Sequence, residues 1–297
     1  MGERCRVVAV CGHEAAYGRV PDILVDPDVT VVPNGRELFR AIALLGRRGE
    51  PSCVVPMTFG RDPDLVADTA RTLRALPDEH RALTCLAGAF GTAQHLVGWL
   101  RAAAGGVPAT DALLVTAPSA GPFEDAELYR TASLVRCFGD HSLVEVAFTG
   151  GDPDLVHGVR RCALLGASRV VMLSAAFTVP APPDAPGVPV EAAGPPVPRA
   201  ALRRVIGERV SAALHRLRDH GDDGISAGLT AADEHGHHHT HPPGEDHHHT
   251  HPPGEDHHHT AGPPHTHGPA PEFEHPQGFR HPDHQIPGAA PVLRISP

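Results

Sequence analysis

Short apolar runs rich in β-branched residues alternate along the chain with longer segments in which apolar residues recur every three or four positions. The short runs predict buried β-strands and the longer segments predict amphipathic helices. Such alternation is typical of β-α units built around a parallel sheet. Strands are predicted at 6–10, 29–32, 52–59, 83–90, 111–119, 142–150, 169–177 and 188–193. Helices are predicted at 36–48, 64–76, 93–105, 124–138, 154–166 and 200–219.

The pattern also repeats within the chain. The tetrapeptide ALLG occurs at 43–46 and again at 163–166, each time in the last turns of a predicted helix that precedes an apolar strand. A second match, DPDLV at 62–66 and 152–156, follows strands that do not correspond, and we treat it as coincidence. We therefore expect an internally duplicated α/β fold of two similar parallel-sheet lobes, 1–107 and 108–220. Ligands bind at the carboxyl ends of such strands, in a cleft between the lobes.

The chain changes character after about residue 220. Seventeen of its 24 histidines lie between 235 and 284, and the decapeptide HPPGEDHHHT occurs twice in tandem, at 241–250 and 251–260. Pro and Gly interrupt every potential helix there, and too few apolar residues remain to form a core. We expect residues 221–297 to form a disordered His-rich C-terminal tail.

Composition narrows the functional classes. The formal net charge is −10 with His neutral, which argues against a nucleic-acid partner. The six cysteines are scattered without a CxxC pair, and no apolar stretch approaches a signal-peptide core or a membrane span. We expect a cytoplasmic protein that has no membrane partner.

The tail carries the strongest chemical signal. Imidazole suits first-row ions such as Co²⁺, Ni²⁺, Cu²⁺ and Zn²⁺, and a flexible chain can wrap several imidazoles around one ion. The alternative is a low-complexity expansion without a selected role. The candidate metal ligands of the tail are His237, His238, His239, His247, His248, His249, His257, His258 and His259.

Two further candidates fall on strands. His13 follows the first strand. At the mouth of the cleft it could ligate a metal or accept a proton, and the alternative is a structural histidine that caps the next turn. Glu145 lies within an apolar strand, so its carboxylate needs a salt-bridge partner, water or the active cleft.

The second half of the chain resembles the CbiX-type sirohydrochlorin cobaltochelatases. The resemblance lies in LLVTAPSAGPFEDAELYRTASLVR at 113–136 and in the segment from VEVAF to SAAF at 144–177, which contains the helix end at 161–166. The first half matches more loosely, through Gly12-His13 and through PMTFGRDPDLVADTARTLR at 56–74. Together these segments cover about residues 5–215, and some long members of the family also carry a histidine-rich segment.

The resemblance implies a chelatase-like, two-lobed α/β enzyme of the class II chelatase superfamily, which needs no ATP and no organic cofactor. Such an enzyme inserts a divalent metal as substrate into a sirohydrochlorin-type tetrapyrrole in cobalamin or sirohaem biosynthesis. Co²⁺ is the first choice of metal, with Ni²⁺ or Fe²⁺ as alternatives. Carried over to this chain, His13 and Glu145 become the catalytic residues and the metal ligands in the cleft.

The chain departs from the family pattern in two loops. The loop after the third strand has no histidine, and the loop at Ser119 lacks the usual Arg-Gly-Ser. Either the site is rebuilt around Arg61 or Asp62, or the chain is a divergent paralogue. Residues proposed to bind the substrate are Thr58, Arg61, Asp62 and Ser119, with Arg130 and Arg19 as further candidates for its carboxylates.

Two other functional classes stay open. A metal-storage protein or metallochaperone of chelatase-like fold would also explain the tail and the missing histidine. A nucleotide-binding domain has little support, because no GxGxxG or Walker-type loop follows a strand. The sequence leaves the oligomeric state undecided.

Overall fold

The apolar runs form two parallel sheets. The structure is a computed structural model that describes residues 5–18, 28–185 and 187–231. The first sheet contains β1 (Arg6–Cys11), β2 (Val29–Pro33), β3 (Ser52–Met57) and β4 (Thr84–Leu86). The second contains β5 (Ala112–Pro118), β6 (Val144–Thr149), β7 (Val170–Ser174) and β8 (Val190–Ala192). Every pair of neighbouring strands is parallel, so the prediction of an α/β fold with two parallel sheets is confirmed.

The two sheets have equivalent topology. Their strand orders are β2-β1-β3-β4 and β6-β5-β7-β8, so the first strand of each set is central and the second lies at an edge. The two ALLG segments occupy matching places, each immediately before the third strand of its sheet. This correspondence is what an internal duplication would produce.

Eight helices connect and cover these strands in the described part of the chain. They are α1 (Arg36–Arg47), α2 (Pro63–Arg74), α3 (Asp78–Arg81), α4 (Ala93–Ala104), α5 (Pro122–Cys137), α6 (Leu155–Leu164), α7 (Arg199–His220) and α8 (Ile225–Leu229). Sequence reasoning missed the two short helices α3 and α8, and also a turn at His13–Gly18. None of the described helices is both long enough and apolar enough to cross a membrane.

The two lobes exchange helices, which the expected division at 107/108 did not anticipate. Helix α4, from the first half, packs against β7 and α5, whereas α7, from the end of the second half, packs against β3 and β4. Arg209 and Arg216 of α7 donate hydrogen bonds to the carbonyls of Phe90 and Leu86 in the first half. One continuous apolar cluster therefore contains inner-face residues of both sheets.

The expectation that the tail begins at residue 221 is wrong for its first eleven residues. Helix α8 packs against α2, with Ile225 only 4% exposed in the core formed by α1, α2 and the outer face of the first sheet. The backbone N–H of Leu86 also donates to the carbonyl of Asp223. Residues 221–231 therefore belong to the folded unit, and residues 232–297 lie outside the described residues.

Candidate functional site

The cleft expected at the carboxyl ends of the strands is present. It has a volume of about 220 Å³ and lies where β1, β3 and β5 end, so both halves of the chain contribute to its walls. From the first half come His13, Tyr17, Arg61, Asp62 and Asp64, and from the second come Ser119, Gly121 and Glu124. The strands predicted over 52–59 and 83–90 end early, at Met57 and Leu86, and residues 58–62 form a loop at the base of this cleft.

His13 and Asp62 are paired across the two loops. The Nδ1 atom of His13 lies 2.9 Å from Oδ2 of Asp62, and both side chains are largely buried. The other carboxylate oxygen of Asp62 caps α2 by accepting the backbone N–H of Leu65 at 3.0 Å. Gly12 makes the approach possible, because a Cβ atom at this position would lie 2.2 Å from Oδ2 of Asp62.

The pKa of His13 is raised above its ordinary value of 6.5. Burial alone would lower this pKa, but the hydrogen bond and negative charge of Asp62, with the charge of Glu14, outweigh burial and the opposing charge of Arg61. An ionised carboxylate can only accept, so Nδ1 carries the hydrogen that is donated to Asp62. The Nε2 atom is buried and has no hydrogen-bond partner.

Glu14 is the functional candidate that sequence reasoning missed. Its side chain is fully buried, and its Oε2 accepts hydrogen bonds from the Thr58 hydroxyl and, at 2.9 Å, from the Phe59 N–H. Burial raises its pKa, although the charge of Arg61 and these hydrogen bonds act in the opposite direction. The signal was visible in VCGHEA, where an acidic residue directly follows His13 at the end of a buried strand.

Arg61, one of the proposed substrate-binding residues, lines the cleft, but its guanidinium is enclosed by protein groups. Its side chain has no exposed area, and it donates to the carbonyl of Glu124 at 3.2 Å and to Oδ1 of Asp125 at 3.1 Å. These contacts connect the loop after β3 with the start of α5. The guanidinium therefore joins the two halves beneath the cleft, although its Nη1 has no hydrogen-bond partner.

Thr58 and Ser119 differ in their access to the cleft. Thr58 is buried, and its hydroxyl accepts the backbone N–H groups of Gly60 and Asp62 besides donating to Glu14. It therefore shapes the loop rather than facing a substrate. Ser119 lines the cleft, where its hydroxyl donates to the carbonyl of Gly150 at 3.1 Å.

Glu145 does not lie at the cleft, which corrects its expected position beside His13. It is the second residue of β6, about 13 Å before the carboxyl end at the usual rise of a strand. Its backbone pairs with Leu114, and its carboxylate forms an ion pair of 2.8 Å with Arg161 of α6. The salt-bridge alternative considered from the sequence is the arrangement that the structure contains.

The remaining candidates do not add to the cleft. Arg130 is exposed on α5 and pairs with Glu127. Arg19 and the tail ligands His237, His238, His239, His247, His248, His249, His257, His258 and His259 lie outside the described residues. Within the ranges that the structure does describe, no group of three or more His, Cys, Asp or Glu side chains is arranged to hold a metal ion.

The arrangement thus provides one oriented imidazole at an acidic cleft. His13 can accept a proton or offer a single lone pair to a metal that brings its other ligands with it. Asp64 and Glu124 add carboxylates on the walls, one from each half of the chain. No protein-family model matches the chain, and no curated protein is significantly similar to it.

Proposed function

We propose that the chain is an ATP-independent chelatase that inserts a divalent metal into a sirohydrochlorin-type tetrapyrrole, with Co²⁺ as the first candidate and Ni²⁺ or Fe²⁺ as alternatives. The observation that carries the proposal is the His13–Asp62 pair at the carboxyl ends of the central strands. The resemblance to CbiX-type chelatases supports the same reaction. The free state of all six cysteines fits a reducing compartment, which supports a cytoplasmic enzyme.

His13 would act as the entry ligand for the metal. With its Nδ1–H donated to Asp62, the neutral ring would offer to an entering ion the lone pair of Nε2, an atom that is buried and has no hydrogen-bond partner. A single protein ligand suits an ion that must be transferred onward, because the four pyrrole nitrogens of the substrate complete the coordination. A closed protein site would instead retain the metal.

Insertion also releases protons. The tetrapyrrole loses two pyrrole N–H protons as one M²⁺ enters, so the net charge is conserved. Once the metal has moved to the ring nitrogens, His13 Nε2 accepts one proton, and the negative charge of Asp62 favours the imidazolium that forms. The second proton goes to a carboxylate on the cleft wall, Asp64 or Glu124, and from there to water.

The acidic walls of the cleft favour a second candidate function. Among the described residues, the lining includes the carboxylates of Asp62, Asp64 and Glu124 against a single arginine, Arg61, whose guanidinium is enclosed by protein groups. Such a lining attracts a cation more readily than it attracts a ring that carries eight carboxylates. A metal carrier of the same fold would use His13 and these acids to receive an ion without acting on a tetrapyrrole.

The test is an absorbance assay with sirohydrochlorin and Co²⁺. We expect the full chain to produce the metallated spectrum faster than the same mixture without protein, and we expect the His13→Ala variant to lose the acceleration. Melting curves of both proteins would show that the variant is folded. Equal rates with and without wild-type protein, together with Co²⁺ binding that depends on His13, would support the carrier instead.

A further inference from the structure

Tyr17 lines the cleft from the first half of the chain, and the residue is 64% exposed. The chain has only 12 aromatic residues, and the largest aromatic group, Phe59, Phe90, Trp99 and Phe177, is packed in the interior. An exposed ring at the cleft therefore contributes little to folding.

The backbone at Tyr17 is strained. Ala16 and Tyr17 have φ angles of 47° and 53°, and they are the only non-glycine residues with positive φ in the part of the chain that the structure describes. The turn is held to the end of β1, because the N–H groups of Ala15 and Tyr17 both donate to the carbonyl of Gly12. Unfavourable backbone conformations of this kind persist where the surrounding structure enforces them, and they cluster at ligand sites.

A second exposed aromatic residue lies in the helix turn that forms the opposite wall. Phe123 is in the first turn of α5, directly after Pro122, and is 85% exposed. Its neighbours Gly121 and Glu124 line the cleft. The start of α5 is held in place by Arg61, which donates to the carbonyl of Glu124.

The cleft is too small to enclose a macrocycle. Its volume of about 220 Å³ lies below the range of about 300–1,000 Å³ that is typical of pockets enclosing a drug-sized ligand. Contacts with a larger flat ligand must therefore come from the rim. The rim offers exposed aromatic residues, and Arg61, the one arginine among the described residues that line the cleft, has its guanidinium enclosed by protein groups.

From these observations we infer that Tyr17 and Phe123 form an aromatic rim that binds the π-face of a flat conjugated macrocycle and presents its nitrogens to His13. The inference rests on the proposed chelatase function and identifies the residues that would select its organic substrate. Recognition is by stacking on the ring system, so it does not depend on the ring's peripheral carboxylates.

The test measures binding separately from insertion. Metal-free sirohydrochlorin is titrated into the full chain without added metal, and binding is followed by quenching of the tetrapyrrole fluorescence. We expect Tyr17→Ala and Phe123→Ala each to weaken binding roughly tenfold, as befits the loss of one aromatic contact. Tyr17→Phe keeps the ring and should bind like the wild type. Phe138→Ala removes a ring that is 63% exposed beyond the far end of α5, and it is the matched control.

The outcomes separate the two hypotheses. Wild-type affinity in both alanine variants, with tetrapyrrole binding intact in the wild type, would overturn the aromatic rim and leave the chelatase proposal standing. Absence of binding by the wild type would overturn the chelatase proposal itself. If melting curves show that Tyr17→Ala is unfolded, Tyr17→Leu replaces it, because leucine keeps apolar bulk and removes only the aromatic face.

Discussion

His13 and Asp62 are 49 positions apart in the sequence, yet His13 Nδ1 and Asp62 Oδ2 lie 2.9 Å apart at the base of the cleft. Asp62 is fixed by a second role, since its other oxygen caps α2. The imidazole is thereby oriented by a helix terminus that is anchored in the first sheet's core. Catalytic histidines commonly depend on a carboxylate that fixes the orientation of the imidazole ring.

The pair should make stability depend on pH. Asp62 raises the pKa of His13 in the folded state above 6.5, so the protonated ring stabilises the fold. This contribution is fully present below the unfolded pKa and is lost as the pH rises through the raised pKa. Asp62→Asn keeps the helix cap and removes the charge, so we expect it to cost more stability at pH 6 than at pH 9. Urea unfolding of metal-free protein at both pH values would measure this difference.

Equal destabilisation by Asp62→Asn at both pH values would contradict the pairing. A direct check is the NMR titration of His13, identified as the resonance that is missing in His13→Gln. Its pKa should be lower in Asp62→Asn than in the wild type.

Glu145→Gln should leave metal insertion unchanged. The side chain lies near the start of β6 and pairs with Arg161, a residue that is half exposed, so the variant should lose at most about 1 kcal/mol of stability. Insertion rates and melting curves for wild type and variant would test both statements. A rate that falls by tenfold or more in a folded Glu145→Gln protein would show that the cleft is not the site of the reaction.

The end of the folded unit can be tested by two truncations. A chain that ends at residue 231 keeps α8 and should melt like the full chain. A chain that ends at residue 220 lacks Ile225, so the core beneath this side chain becomes exposed. It also lacks the Asp223 carbonyl that accepts the N–H of Leu86, and we expect it to be less stable by about 2–4 kcal/mol. For a unit of this size the melting temperature should fall by about 5–10 °C. Identical melting of the two truncated chains would show that α8 does not contribute to stability.

The chain that ends at residue 231 also tests the tail as a metal-binding segment. We expect the full chain to bind several Ni²⁺ ions at pH 7.5 and the chain ending at residue 231 to lose most of them. Protons compete for imidazole, so the number bound by the full chain should fall strongly below about pH 6. Titration calorimetry at pH 7.5 and pH 5.5 gives both numbers. Equal Ni²⁺ stoichiometry for the two chains would rule the tail out as the main binding segment.

The sequence by itself determined the eight strands and the six longer helices, though not the short helices α3 and α8, and it placed His13 at a strand end. Parallel strands buried on both faces are continuous apolar runs, as in Ser52–Met57, and amphipathic helices have their own period, so both are visible locally. Because β1 is followed directly by Gly12 and His13, the position of this imidazole at a strand end also followed from the chain alone.

Only the tertiary structure decided which carboxylate accompanies that imidazole. Glu145 and Asp62 are both acidic residues near apolar strands, but the first lies near the start of β6 and turns toward α6, whereas the second lies in the loop after β3. The sequence pattern also did not predict the exchange of α4 and α7 between the lobes or the packing of α8 against α2. Local sequence patterns indicate which residues are buried. They do not indicate which distant element covers those residues, because this depends on how the whole chain packs.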